Sequence, residues 1–198
     1  MTNRRIWLID AGYLFNARHS VSSGYQFSYL KLREKIEQDG DIWRAYYFNS
    51  THNPPTDGQD GFHNWLRSAP PKGPKIITKL YGLKGQRGDK SYCSTCNHKV
   101  NLVCPNQDDA SAPHILTNEV QKGVDVGIAT TALMHKDNFD TLILSSGDGD
   151  LLDAIEHLSE IGKRIELAVF SDGVSTELQS RAGKIYCIND FADAVAST

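Results

Sequence analysis

The sequence predicts an α/β fold organised around a doubly wound, mostly parallel sheet. Two observations carry that expectation. Apolar runs of strand length alternate with helix-period segments along nearly the whole chain. Acids also close or follow several of those runs, at the positions where a parallel sheet gathers its ligand-binding groups. Asp10 ends Arg5-Ile-Trp-Leu-Ile-Asp10, and Asp148 and Asp150 follow the run that begins at Thr141. In such sheets ligands bind outside the carboxyl ends of the strands.

Strands are expected at 5–10, 41–49, 75–82, 141–146, 164–170 and 184–188. Trp7, Trp43, Tyr46 and Phe48 fall within these patterns and read as core. Helices are expected at about 27–39, 59–68, 120–135, 150–161, 174–182 and 190–196. Leu151, Leu152, Ile155, Leu158 and Ile161 form one buried stripe, with Gly162 placed to close that helix. Val124, Ile128, Ala129 and Ala132 share a face of the 120–135 segment. Residues 50–58 are a turn-rich loop. Residues 83–119 break the alternation and are too long for a structureless connection in a compact domain, so they read as an insertion at the functional edge.

At 198 residues the chain has the length of one domain with an insertion. Its 39% hydrophobic and 23% charged content is that of a soluble globular protein. No apolar run reaches the ~20 residues of a membrane helix, and the start leads into a strand without a signal peptide, so a cytoplasmic location is expected. The net charge of −3 is unevenly spread. Lys72, Lys75, Lys79, Lys84, Arg87, Lys90 and Lys99 face only Asp89 within residues 70–104. A basic tract beside an acidic site suits a nucleic-acid enzyme, with cations on phosphates and carboxylates on metal.

Asp10, Asp125, Asp148 and Asp150 are each explicable as helix caps or first-turn acids. Together they describe a convergent site, since strands 5–10 and 141–146 point the same way. Gly12 lets backbone or substrate approach Asp10 closely. Asp125 begins the helix leading into strand 141–146 and reaches the same edge only if the chain turns inward. Carboxylates that close need a cation. A set of acids without histidine suits Mg2+ or Mn2+, which activate water and stabilise a leaving oxygen in phosphodiester chemistry.

Asp10-Ala-Gly12, Lys122-Gly-Val-Asp125-Val, Ser146-Gly-Asp148-Gly-Asp150-Leu-Leu and Gly162-Lys-Arg-Ile occur in that order. This series resembles the NYN domain, a PIN-like nuclease fold, over nearly the whole chain. The resemblance implies a three-layer, Rossmann-like single domain over 1–198, and a metal-dependent ribonuclease site made by Asp10, Asp125, Asp148 and Asp150. It brings Asp125 into the cluster, and implies a positioning role for Asn16 and phosphate or carboxylate pairing for Lys122. Two positions depart from the family pattern: Tyr13 stands where an Asn is frequent, and Ala182-Gly183 replaces an Ala-Asp pair.

Cys93-Ser-Thr-Cys96 and Cys104 give a CxxC half-site and a third thiol. Structural Zn2+ in an insertion over 84–118 is the expectation, with His114 as the fourth ligand in preference to the closer His98. Cys187, in Ile185-Tyr-Cys-Ile188, reads as a core thiol. The zinc would rigidify the insertion and position Lys84, Arg87 and Lys90 as phosphate contacts. Trp65, Tyr81 and Tyr92 are candidates for stacking on unpaired bases, whereas His52 and His63 read as surface groups.

The expected activity is metal-dependent endonucleolytic cleavage of single-stranded or structured RNA. A non-catalytic RNA-binding or regulatory module of the same fold is the alternative. A dehalogenase-like phosphotransferase is disfavoured because residue 12 is Gly rather than a second acid, and a toprim-like site because the first acid is Asp10 rather than Glu. Neither Gly-x-Gly-x-x-Gly nor a phosphate-loop lysine motif is present. Membrane partners are not expected, and a homodimer is compatible with the sequence.

Overall fold

Six apolar runs assemble into one parallel sheet, as their unbroken or near-unbroken hydrophobicity requires of strands covered on both faces. The computed structural model describes residues 3–52, 54–88, 90–107 and 114–197. The sheet strands are β1 (Arg5–Asp10), β2 (Ile42–Thr51), β3 (Ile77–Gly82), β8 (Thr141–Ser145), β9 (Arg164–Val169) and β10 (Lys184–Cys187), in the order β10-β9-β8-β1-β2-β3. The chain builds outward from β1 to β3, then returns to lay β8 against the other side of β1. That reversal makes the edge between β1 and β8 the topological switch point.

Side chains of β1 alternate between two cores. Trp7 and Ile9 pack with Leu32 and Ile36 of α2 (Tyr29–Glu37), Leu66 of α3 (Asp57–Arg67) and Val195 of α7 (Ala192–Val195). Ile6 and Leu8 pack on the opposite face with Ile128 of α4 (Val124–Met134), Ile155 of α5 (Leu152–Glu160) and Leu178 of α6 (Thr176–Arg181). The result is three layers. Each fully buried Leu or Ile contributes about 1.5–3 kcal/mol relative to exposure. At the strands' amino ends the buried Arg5 guanidinium pairs with Glu166 at 2.7 Å and donates to Tyr186 Oη and to the Ile36 and Gly40 carbonyls. The buried charge is thus matched.

The expected strands and most expected helices are present, with informative differences. A further helix, α1 (Ala11–Ala17), follows β1 directly because Asp10 caps it. The strand expected from Lys75 starts at Ile77, since Lys75 adopts a left-handed φ of 54°. The helix expected from 120 starts at Val124, because residues 117–120 are committed to a strand instead. The last helix shrinks to Ala192–Val195 behind a 3-10 turn over Ile188–Phe191.

The insertion has its own order. β4 (Lys84–Arg87) pairs antiparallel with β7 (Thr117–Val120), and β5 (Lys90–Cys93) with β6 (His98–Asn101). It leaves the sheet at the carboxyl end of β3 and returns at the start of α4, so it stands on the carboxyl edge. Among the described residues no helix is long and apolar enough to cross a membrane.

Candidate active site

Asp10 is the last residue of β1 and lies buried at the switch point. Its Oδ1 accepts the Tyr13 backbone N–H at 3.1 Å, and its Oδ2 accepts the Ser146 hydroxyl at 3.2 Å. Ser146 Oγ accepts the Asp148 N–H at 3.3 Å, and Asp148 Oδ1 accepts the Asp150 N–H at 2.9 Å. A ladder of short polar contacts therefore runs from the buried acid to two exposed acids at the mouth. Helix capping and site formation are the same act here: Asp10 caps α1, and Asp148 caps the 3-10 turn Gly149–Leu151 that leads into α5.

Gly147 explains why this loop is so tightly specified. A Cβ built there would lie 1.7 Å from the Gly173 carbonyl oxygen and 2.8 Å from the Tyr13 ring. Tyr13 braces the same two loops, its hydroxyl lying 3.1 Å from the Phe170 carbonyl and 3.2 Å from that of Asp172. Tyr13 thus ties α1 to the 170–173 loop, with its ring against Gly147. Burial pushes the Tyr13 phenol above its ordinary range, keeping it a neutral donor.

The acids sense one another. Burial raises the Asp10 carboxyl above the ordinary aspartate range; its two hydrogen bonds oppose the shift and the Asp125 charge adds to it. Asp125 is raised by burial first, then by the charges of Asp148 and Asp150. Asp125 lies in the first turn of α4, half-buried, where the charges of Asp148, Asp150 and Asp10 bear on it. Among the described residues no group of three or more His, Cys, Asp or Glu side chains is closed enough to hold a metal. Carboxylate oxygens are nonetheless the donor type a hard cation such as Mg2+ takes, one or two of them beside several waters.

The other predicted residues divide. Asn16 is exposed on α1 and Lys122 is exposed just before α4. Lys84 and Arg87 are exposed on β4, and Lys90 on β5. Lys79 is diverted: its Nζ donates to Thr131 Oγ1 at 2.8 Å and lies over the Tyr46 and Phe48 rings. Asp89 lies outside the described residues. Cys93 and Cys96 flank a tight turn closed by Asn97 N–H to the Cys93 carbonyl at 2.8 Å. Hydrogen bonds from Cys96 and Thr95 hold the Cys93 thiol below its ordinary range, the state a metal ligand needs. The structure does not bring Cys104 and His114 into one ligand group with that pair. The His114 backbone N–H donates to Gln107 Oε1 at 3.1 Å.

Three expectations for single residues are corrected. His63 is buried against Tyr47 and Phe62, because it lies on the inner face of α3. Cys187 is only half-buried, since Tyr186 takes the inward position of β10. Tyr81 packs against α4, where its ring lies beside Gly123 and Gly127. Ser146, Tyr13 and Gln121 are site residues that the motif left unassigned; the Gln121 side chain approaches Gly12 beside Asp10. Ser146 had a signal, being the small residue before Gly-Asp, but a hydroxyl in a loop is too common to single out.

A family model described as the NYN domain matches residues 6–189. The chain belongs to the NYN domain family. NYN domains are in general nucleases of RNA, and this class of fold works with divalent metal ions. A solved structure of a protein of unknown function from Vibrio parahaemolyticus aligns at 19% identity with a TM-score of 0.64, covering 98% of this chain and 97% of that one. That likeness extends the fold over the entire NYN chain. A Sir2 complex with a p53 peptide and NAD+ aligns at 14% identity over 96% of this chain and 90% of that one, with a TM-score of 0.41. A comparison with curated proteins returns no match.

Proposed function

We propose that this NYN domain is a metal-dependent endoribonuclease whose reaction centre is formed by Asp10, Asp125, Asp148 and Asp150. The observation that carries the proposal is the hydrogen-bonded run from Asp10 at the end of β1 through Ser146 to Asp148 and Asp150 after β8, at the switch point of the sheet. A bound Mg2+ or Mn2+ would supply water activation and stabilisation of the leaving oxygen. Asp10, held by Tyr13 and Ser146, presents a fixed carboxylate at the base of the site. Asp148 and Asp150 stand exposed at its mouth, where the scissile phosphate would arrive. Lys122, Lys84, Arg87 and Lys90 offset the repulsion between acidic edge and RNA backbone, and Asn16 positions the strand. Zn2+ on Cys93 and Cys96, with Cys104 and His114 as the further ligands the sequence offers, would rigidify the basic insertion.

The test is cleavage of an end-labelled single-stranded RNA with Mn2+ or Mg2+ by the wild-type protein and by folded Asp148→Asn. Metal-dependent cutting that the substitution reduces by at least about 100-fold is expected. Equal cutting by both proteins would remove these acids from the reaction. RNA binding without cutting by either would make the chain a binding module.

A further inference from the structure

Beside the acids, on the opposite flank of β1, lies a cavity of about 720 Å3. Ala11 and Gly12, the two residues that follow Asp10, form part of its wall. Aromatic rings supply half of the rest. Phe62 and Trp65 lie stacked with centroids 5.8 Å apart, and Tyr47 meets Phe62 edge-on at 6.0 Å. Phe15 stands 60% exposed at the mouth with the Arg18 guanidinium 3.6 Å above its ring. Polar groups punctuate these planes. Gln26 and Asn49 present amides, and Lys31 is anchored to the Ala196 carbonyl at 2.8 Å. Among the described residues that line the cavity there are two cations and no carboxylate.

We infer that this cavity receives an unpaired nucleobase of the RNA strand whose phosphate lies at the acids; the inference rests on the nuclease reading. Flat faces accept any base by stacking, amides address base edges, and the two cations favour the attached phosphates. The cavity's size is within the range of small-molecule sites and leaves room for a base with its ribose. A cationic occupant would meet Arg18 and Lys31. Continuity with Asp10 through Ala11 and Gly12 assigns the occupant to the strand being cut. The cavity would thereby hold the RNA in register and favour single-stranded substrate, because a paired base cannot enter.

The test uses the full chain carrying Asp148→Asn, so that RNA stays intact, with a single-stranded RNA containing 2-aminopurine and a matched RNA abasic at that position. In the Asp148→Asn protein, binding should quench 2-aminopurine fluorescence. Adding Phe15→Ala or Phe62→Leu should abolish the quenching and weaken binding about ten-fold, while the abasic RNA binds all three proteins alike. Unchanged melting temperature in Phe15→Ala, whose ring is exposed, separates lost stacking from lost folding. Equal quenching and affinity in the variants would overturn the inference, as would equal weakening for abasic RNA. A dimer in sedimentation that Phe15→Ala dissociates would also overturn it, by giving the cavity to a second copy. The two readings fail separately. Cutting by the wild type without base-dependent binding refutes only the cavity; base-dependent binding without cutting refutes only the nuclease.

Discussion

Gly147 shows how a single residue type can be required by packing rather than by chemistry. The two Asp motifs are visible as acids in the sequence, but the glycine between Ser146 and Asp148 looks like an ordinary turn residue. The structure supplies the reason: the Gly173 carbonyl and the Tyr13 ring occupy the space a Cβ would need. Gly147→Ala should therefore cost about 1–3 kcal/mol in urea unfolding, as overpacking of a rigid site does. Gly149→Ala is the control, since its Cβ would meet only Ser175 at 3.7 Å and should cost less than about 1 kcal/mol. At this scale Asp10, Asp148 and Asp150 stood out because carboxylates at or just past strand ends are conspicuous, whereas Asp125, in the first turn of a helix, was pointed to only by the family resemblance. Ser146, Tyr13 and Gln121 did not stand out, because their importance comes from what they touch across the fold.

The insertion is an element whose existence was legible and whose shape was not. Its length and cysteines marked it, yet β4 and β7 lie some thirty residues apart in sequence and their short polar strands carry little hydrophobic alternation. Pairing of that kind is decided by backbone hydrogen bonds, which any sequence can make. If the Cys93–Cys96 turn holds Zn2+, Cys93→Ser and Cys96→Ser should each release the metal in elemental analysis of the purified protein. The far-ultraviolet circular dichroism should stay nearly intact, since the six-stranded sheet has its own cores. If the insertion meets RNA, Lys84→Ala and Lys90→Ala should each weaken binding uniformly across sequences. Each should also lower the dependence of log affinity on log salt by about one unit. An unaltered salt slope would place the strand elsewhere.

On the scale of the molecule, the site is a local cost that the two cores sustain. Asp10 and Asp125 have folded-state values above their unfolded ones, so the native state binds protons more readily than the unfolded chain. The sign follows from linkage: stability falls as pH rises from the ordinary aspartate range through the raised folded values, then stays at the lower level. In metal-free buffer at neutral pH, Asp125→Asn should consequently raise the melting temperature. Mn2+ at a hundred-fold excess over its dissociation constant should add about 2.7 kcal/mol to wild type, equivalent to about 5–10 °C in a chain of this size. The gain should be smaller in Asp125→Asn. A wild-type melting curve indifferent to Mn2+ and Mg2+ would argue against a cation at these acids.

By itself the sequence determined the class of fold, the succession of its strands and the identity of the acids. Each of these is written locally: an unbroken apolar run records a strand buried on both faces, and an acid at its end records where that strand stops. Only the tertiary structure decided that β8 lies against β1, that α1 begins at the capping Asp10, and that rings from residues 15 to 65 close around one cavity. These outcomes depend on which elements become neighbours. Neighbours are selected by packing over long sequence separations, and such packing leaves no period in the chain to be read.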